Sequence, residues 1–172
     1  SASGKVTLER EFWIAVMRAQ KELGVEIDDA SIEASEKVKH QVDLEAIRKR
    51  EEVTKHDVKA RLEEFADLSG HQHAHKGMTS RDLTENVEQL QSHRSLSIIL
   101  EKAIASVLAL AERADKYKDL CLTARSHNVP AQLTTLGKRL ANWGEELSKT
   151  VEDLTRLCAI YPYRGLKGAV GT

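Results

Sequence analysis

Two prolines and nine glycines are all that interrupt 172 residues, and Phe, Trp and Tyr together make up only 4%. Helices tolerate such a composition, whereas strands draw on aromatic and β-branched side chains. A β-rich fold is thereby excluded and an all-α protein expected. No apolar run approaches the ~20 residues that a helix needs to span a bilayer, and no signal peptide precedes the first helix, so no membrane partner is expected. Cysteine is nearly absent. Cys121 and Cys158 stand alone on segments that read as helical, without metal-ligand spacing, which suits a reducing cytoplasm better than secretion. Neither sign of charge dominates, with 26 Lys+Arg against 27 Asp+Glu. The basic cluster Arg48-Lys49-Arg50 runs straight into Glu51-Glu52, so it reads as a solvated helix face and no nucleic-acid partner is expected.

What is present is 41% hydrophobic and 31% charged residues, the balance of a globular chain. The length suits one ordinary domain, or a small one with part of another. Helical spacing predicts a first helix from about Thr7 to Leu23, with Phe12, Val16, Ala19 and Leu23 on its apolar stripe and Gly24 as its stop. Shorter helices are expected over 29–39 and 43–52, and another from near Thr54 with Val58, Leu62 and Phe65 inward. The stretch from Ser69 to Gly77 has two glycines and little periodicity, which places a domain boundary there: a small N-terminal helical domain over 1–78 and the start of a central helical bundle over 79–172. Beyond it, Leu96, Leu100, Ala103, Val107, Leu110, Ala114 and Tyr117 form a heptad seam, and Ile104, Leu108 and Ala111 a second stripe. That helix is expected to run from Ser80 to about Lys118, ~58 Å at 1.5 Å per residue. A second long helix is expected to open near Pro130, where a missing N–H costs nothing in a first turn, and to end at Tyr161-Pro162-Tyr163. Two long helices with broad apolar faces cannot cover each other, so the bundle calls for more helices than these.

Three segments carry candidate chemistry, each expected at a helix N-terminus: Thr54-Lys55-His56-Asp57, Thr79-Ser80-Arg81-Asp82, and Arg125-Ser126-His127-Asn128 before Pro130. Unpaired N–H groups and a partial positive charge make helix N-termini favourable for anions, so three of them with histidines suit a substrate bearing phosphate and carboxylates. The plainer alternative is capping: Thr54-x-x-Asp57 and Thr79-x-x-Asp82 both match a capping box with Asp in the acidic position. His71, His73 and His75 alternate in a loop, but no carboxylate or cysteine spacing completes a metal site. His127 alone also reads as a core histidine with its hydrogen bonds met. The residues by themselves give a candidate anion site and stop short of a reaction.

A family resemblance carries the rest. The run from His75 to Asp82 resembles the first shared stretch of the fumarase/aspartase superfamily, in which a Thr-Ser pair opens a long bundle helix. The run from Ser126 to Arg139 is similar to the second, in the form used by the adenylosuccinate lyases. Lys55-His56-Asp57 resembles their Arg-His-Asp motif, with Lys keeping the charge but losing the bidentate fork. Arg164-Gly165-x-Lys167-Gly168-x-x-Gly171-Thr172 resembles the segment that follows. The match runs from about Val6 to Thr172. It implies a β-elimination that releases fumarate from a succinylated nucleotide, in a homotetramer, without metal or organic cofactor. By the same resemblance His127 is the general acid, Lys55, His56 and Asp57 line the nucleotide pocket, His75 sits beside the phosphate, and Thr79 and Ser80 hold an anionic group. The superfamily's serine loop, which carries the base, has no counterpart here, so the chain is expected to be an N-terminal portion without activity of its own.

Overall fold

The computed structural model describes residues 1–171, so Thr172 of the last motif lies outside the described residues. They form six helices and one two-stranded ribbon: α1 (Ala2–Glu22), α2 (Asp29–Val38), α3 (Leu44–Thr54), α4 (Asp57–Ser69), α5 (Ser80–Lys116), β1 (Cys121–Ser126), β2 (Val129–Thr135) and α6 (Leu136–Ala159). The helical class stands. Two compact units divide the chain: Ser1–Leu90 with Tyr163–Thr172, and Gln91–Pro162.

In the first unit, α1 buries Val6, Glu9, Arg10, Trp13, Ile14, Val16 and Met17, a regular helical stripe. Of the apolar stripe read in the sequence, Val16 is buried and Phe12 packs against the core, whereas Ala19 is exposed and Leu23 is 85% exposed. Two charged residues also occupy core positions. Arg10 pairs with Glu64 of α4, stacks over the Phe65 ring at 5.0 Å and donates to the carbonyls of Val38 and Lys39 at 3.0 and 3.2 Å. Those carbonyls lie at the C-terminal end of α2, where a cation is favoured. Glu64 in turn accepts the Asp43 N–H at 3.1 Å, just before α3. One buried ion pair therefore fixes four helices. Around it Trp13 stacks on Phe65 at 5.9 Å, and Ile14, Met17, Ile27, Ile32, Val58, Leu83 and Val87 complete the core.

In the second unit the structure corrects one expectation. No helix opens at Pro130, and α6 begins at Leu136. Residues 121–135 instead form an antiparallel hairpin whose two-residue turn is His127-Asn128. Both turn residues have positive φ, 49° and 64°, which the tight turn of a twisted hairpin demands. Pro130 stands opposite Arg125 beside a register shift, a position in a ribbon that tolerates a missing donor. The hairpin base is closed by the Leu136 N–H on Leu120 O and the Gly137 N–H on Tyr117 O, both at 2.9 Å. Along α5 the heptad seam from Leu96 to Tyr117 is half-buried throughout, while Ile104, Leu108 and Ala111 of the second stripe are exposed. Near the far end of α6, His93 bonds the Cys158 carbonyl at 3.1 Å and its ring lies 5.5 Å from Tyr161.

Candidate active site

The segment from Lys55 to Asp57 reverses the chain between α3 and α4. Lys55 ends α3 in the left-handed region (φ 53°) with an exposed side chain. The cap of α4 is His56 and not Thr54, whose residue still belongs to α3: His56 Nδ1 accepts the Lys59 N–H at 3.2 Å. An accepting Nδ1 carries no proton, so the neutral ring bears its hydrogen on Nε2. Nε2 then donates to Ser80 Oγ at 3.3 Å, tying two motifs 24 residues apart. For the same reason the 3.7 Å separation of Nδ1 from Asp57 is not an ion pair. Asp57 is instead held by Arg61 at 2.8 Å, and Arg61 also reaches the buried Glu9 at 2.6 Å. Burial alone pushes the Asp57 carboxyl up, but Arg61 and the Val58 N–H outweigh it and leave it below its ordinary value.

His75 adopts φ 67°, and the Nε1–H of the fully buried Trp13 donates to its Nδ1 at 3.0 Å. Its proton too is confined to Nε2. Burial lowers its proton affinity below the ordinary 6.5, and Asp82 opposes the shift. Thr79 precedes α5, and its N–H is taken by Asp82 Oδ2 at 3.0 Å, half of the expected capping box. The first unit thus holds Lys55, His56, Asp57, His75, Thr79 and Ser80, with His56 and Ser80 in direct contact. It offers the Nε2–H of His75, hydroxyls, a helix N-terminus and one ionised carboxylate: hydrogen-bonding groups for an anion, and an acceptor for sugar or base hydroxyls and amines.

His127 belongs to the second unit, exposed at the hairpin tip and not at a helix N-terminus. The reading from sequence passed over Trp13, Arg61 and the full reach of Asp82. Only Asp82 stood inside a motif; nothing in the spacing of Trp13 or Arg61 marks them. No His, Cys, Asp and Glu cluster among the described residues is arranged to hold a metal, and no described helix is long and apolar enough to cross a membrane.

A helical fold with these motifs in order defines a lyase of the fumarase/aspartase kind. Residues 3–172 match the family described as Lyase, and the chain belongs to it. Among individual proteins it is similar to the adenylosuccinate lyase of Schistosoma mansoni, 37% identical over 172 residues, covering 98% of this chain and 36% of that one. The adenylosuccinate lyase of Saccharomyces cerevisiae is 33% identical over 168 residues, with 95% and 35% covered. The chain therefore spans little more than a third of the relatives it matches. In structure it resembles the 3-carboxy-cis,cis-muconate lactonizing enzyme of Pseudomonas putida, with a TM-score of 0.87, 21% identity, and coverage of 100% of this chain and 41% of that one. The β-carboxy-cis,cis-muconate cycloisomerase of Acinetobacter calcoaceticus gives 0.83 at 22% identity, covering 100% and 42%. At such identities the likeness speaks to the fold.

Proposed function

We propose that this chain supplies the acid and one wall of the substrate pocket of an adenylosuccinate lyase, which releases fumarate from adenylosuccinate to give AMP and cleaves the succinyl-carboxamide imidazole ribotide of purine biosynthesis. The observation that carries the reading is 37% identity to such an enzyme over nearly the whole chain. The contact of His56 with Ser80 supports it, because it joins two motifs of the resemblance across the first unit. In the reaction a base takes a proton from the succinyl carbon beside a carboxylate. The carbanion spreads its charge into that carboxylate, the carbon–nitrogen bond breaks, and an acid protonates the departing nitrogen. His127 is that acid, imidazole being the side chain most often used to hand over a proton in such a step. Lys55, His56 and Asp57 line the nucleotide pocket, His75 faces the phosphate, and Thr79 and Ser80 hold an anionic group through hydroxyls and helix-end amides. The enzyme works without metal or cofactor, as a cytoplasmic homotetramer divided into an N-terminal domain to residue 78 and a bundle beyond. The base is supplied from outside these 172 residues, so the chain alone is inactive.

The test is to incubate the intact enzyme with adenylosuccinate and follow absorbance and fumarate release. Turnover of argininosuccinate or a muconate in its place would move the protein to another branch of the superfamily. No turnover of any of them would leave a helical assembly module.

A further inference from the structure

An acidic residue in the first turn of a helix normally returns one hydrogen bond to the chain before it and leaves its other lone pairs in water. Asp82 does far more than that. It is fully buried, and its carboxylate collects N–H groups from two separate parts of the chain: Thr79 at 3.0 Å, and then Lys167 at 3.0 Å and Gly168 at 2.9 Å, some eighty-five residues later. The Arg164 guanidinium stands 3.4 Å away and pairs with Glu85 at 2.6 Å. One and two turns further along α5 the same face continues the seam. Asn86 bonds both the N–H and the carbonyl of Gly165, at 3.0 and 2.9 Å, and Gln89 takes the Arg164 N–H at 2.6 Å. Burial pushes the Asp82 carboxyl up, yet the three amides and Arg164 outweigh it and keep it below its ordinary value, hence ionised. Capping explains one of those three amides. The other two are spent on holding a distant strap against the turn that carries Thr79 and Ser80.

We infer that Asp82 is a positioning residue: it locks the Thr79–Ser80 turn and the strap 164–168 into one rigid piece and so fixes the hydroxyls and amides that meet the substrate. This rests on the proposed lyase reading for the substrate, though the lock itself does not. Asp82→Asn is nearly isosteric but replaces one acceptor oxygen with an NH2 group that faces backbone donors.

In the intact enzyme, Asp82→Asn is expected to speed amide exchange at Lys167 and Gly168 by about tenfold or more, since a protecting partner is lost. It should also raise KM for adenylosuccinate by about tenfold, ~1.4 kcal/mol of binding, with kcat falling much less. Gln89→Ala removes no buried charge and stays folded. It should speed exchange at the Arg164 amide and raise KM by a smaller factor in the same direction. Unchanged exchange in both variants would overturn the lock. Faster exchange with KM unmoved would overturn the positioning role and leave a structural clamp. If the unaltered enzyme fails to turn over adenylosuccinate, the lyase reading falls and the exchange measurement alone decides the lock.

Discussion

His75 shows how a single residue can be constrained from several sides at once. Its backbone is left-handed, a conformation that a non-glycine residue keeps only when its surroundings insist. Trp13 insists here, because its buried indole N–H needs an acceptor and finds Nδ1. Protonating the ring would put a second hydrogen where the indole hydrogen already points, which adds to the burial that lowers its proton affinity. Folding therefore favours the neutral ring. Above its ordinary 6.5 both the folded and unfolded chains are neutral and the contribution is complete. Below it the unfolded chain takes a proton that the folded one refuses, so stability falls until the pH reaches the lower folded value. Urea unfolding at several pH values between 7.5 and 5 should show this loss in the native chain and a shallower one in His75→Asn. Equal slopes would mean that His75 is not held neutral. At His127 the expectation is chemical: His127→Ala in the intact enzyme should lower turnover by about 10²–10⁴-fold, the range for a general acid, with substrate affinity much less affected. Near-normal turnover would remove His127 from the mechanism. Thr79→Ala separates capping from binding, since loss of a cap alone costs ~1 kcal/mol of stability and leaves KM in place, whereas a ligand contact raises KM as well.

Among the elements, the joint between α5, the hairpin and α6 is the tightest. A Cβ on Gly137 would meet the backbone of Ala114 and stand 2.6 Å from Lys118 Cα, whereas one on Gly144 would rest 3.6 Å from Leu110 Cβ. Gly137→Ala should therefore cost about 1–3 kcal/mol through overpacking. Gly144→Ala should be neutral or mildly stabilising, because Ala outranks Gly in helices by up to ~1 kcal/mol. Circular dichroism melts of the two variants check the contrast, and equal effects would show that the helices part easily there. The same joint marks the limit of what sequence reveals. Helices α2 to α4 were legible in outline, with the start of α4 read three residues early at Thr54, and α5 because its heptad seam repeats without a break. The α1 stripe was read only in part: Phe12 and Val16 do meet the core, but Glu9 and Arg10 also occupy it, where a periodicity of apolar residues cannot see them. The hairpin was missed because Pro130 is as acceptable in a first helical turn as in a ribbon, and His127-Asn128 is not a common turn pair. Of the site, the motifs were visible, but the contacts that orient them, Trp13 on His75 and Arg61 on Asp57, join residues with no shared spacing.

At the scale of the whole chain the two units are built differently. Every buried hydrophobic side chain of the described residues belongs to the first, from Val6 to Val87. In the second, α5 and α6 leave Ile98, Ile99, Ile104, Leu108, Trp143 and Leu157 more than 40% exposed. Soluble monomers rarely keep contiguous apolar patches beyond a few hundred Å² in water, and a helix with two apolar stripes needs more than one neighbour. Self-association through these helices is the expected outlet, most simply a two-fold dimer that closes a four-helix bundle. Sedimentation at several concentrations should show a mass that rises with concentration toward a dimer or larger. Leu108→Glu and Trp143→Glu each place a charge in the open stripe and should shift the equilibrium back toward monomer without lowering helix content, since both positions face outward. The first unit, with its closed core and the buried Arg10–Glu64 pair, should unfold as before in both variants. A compact monomer that persists at high concentration in the native chain would mean that α5 and α6 cover each other better than the exposure of Ile104 and Leu108 implies.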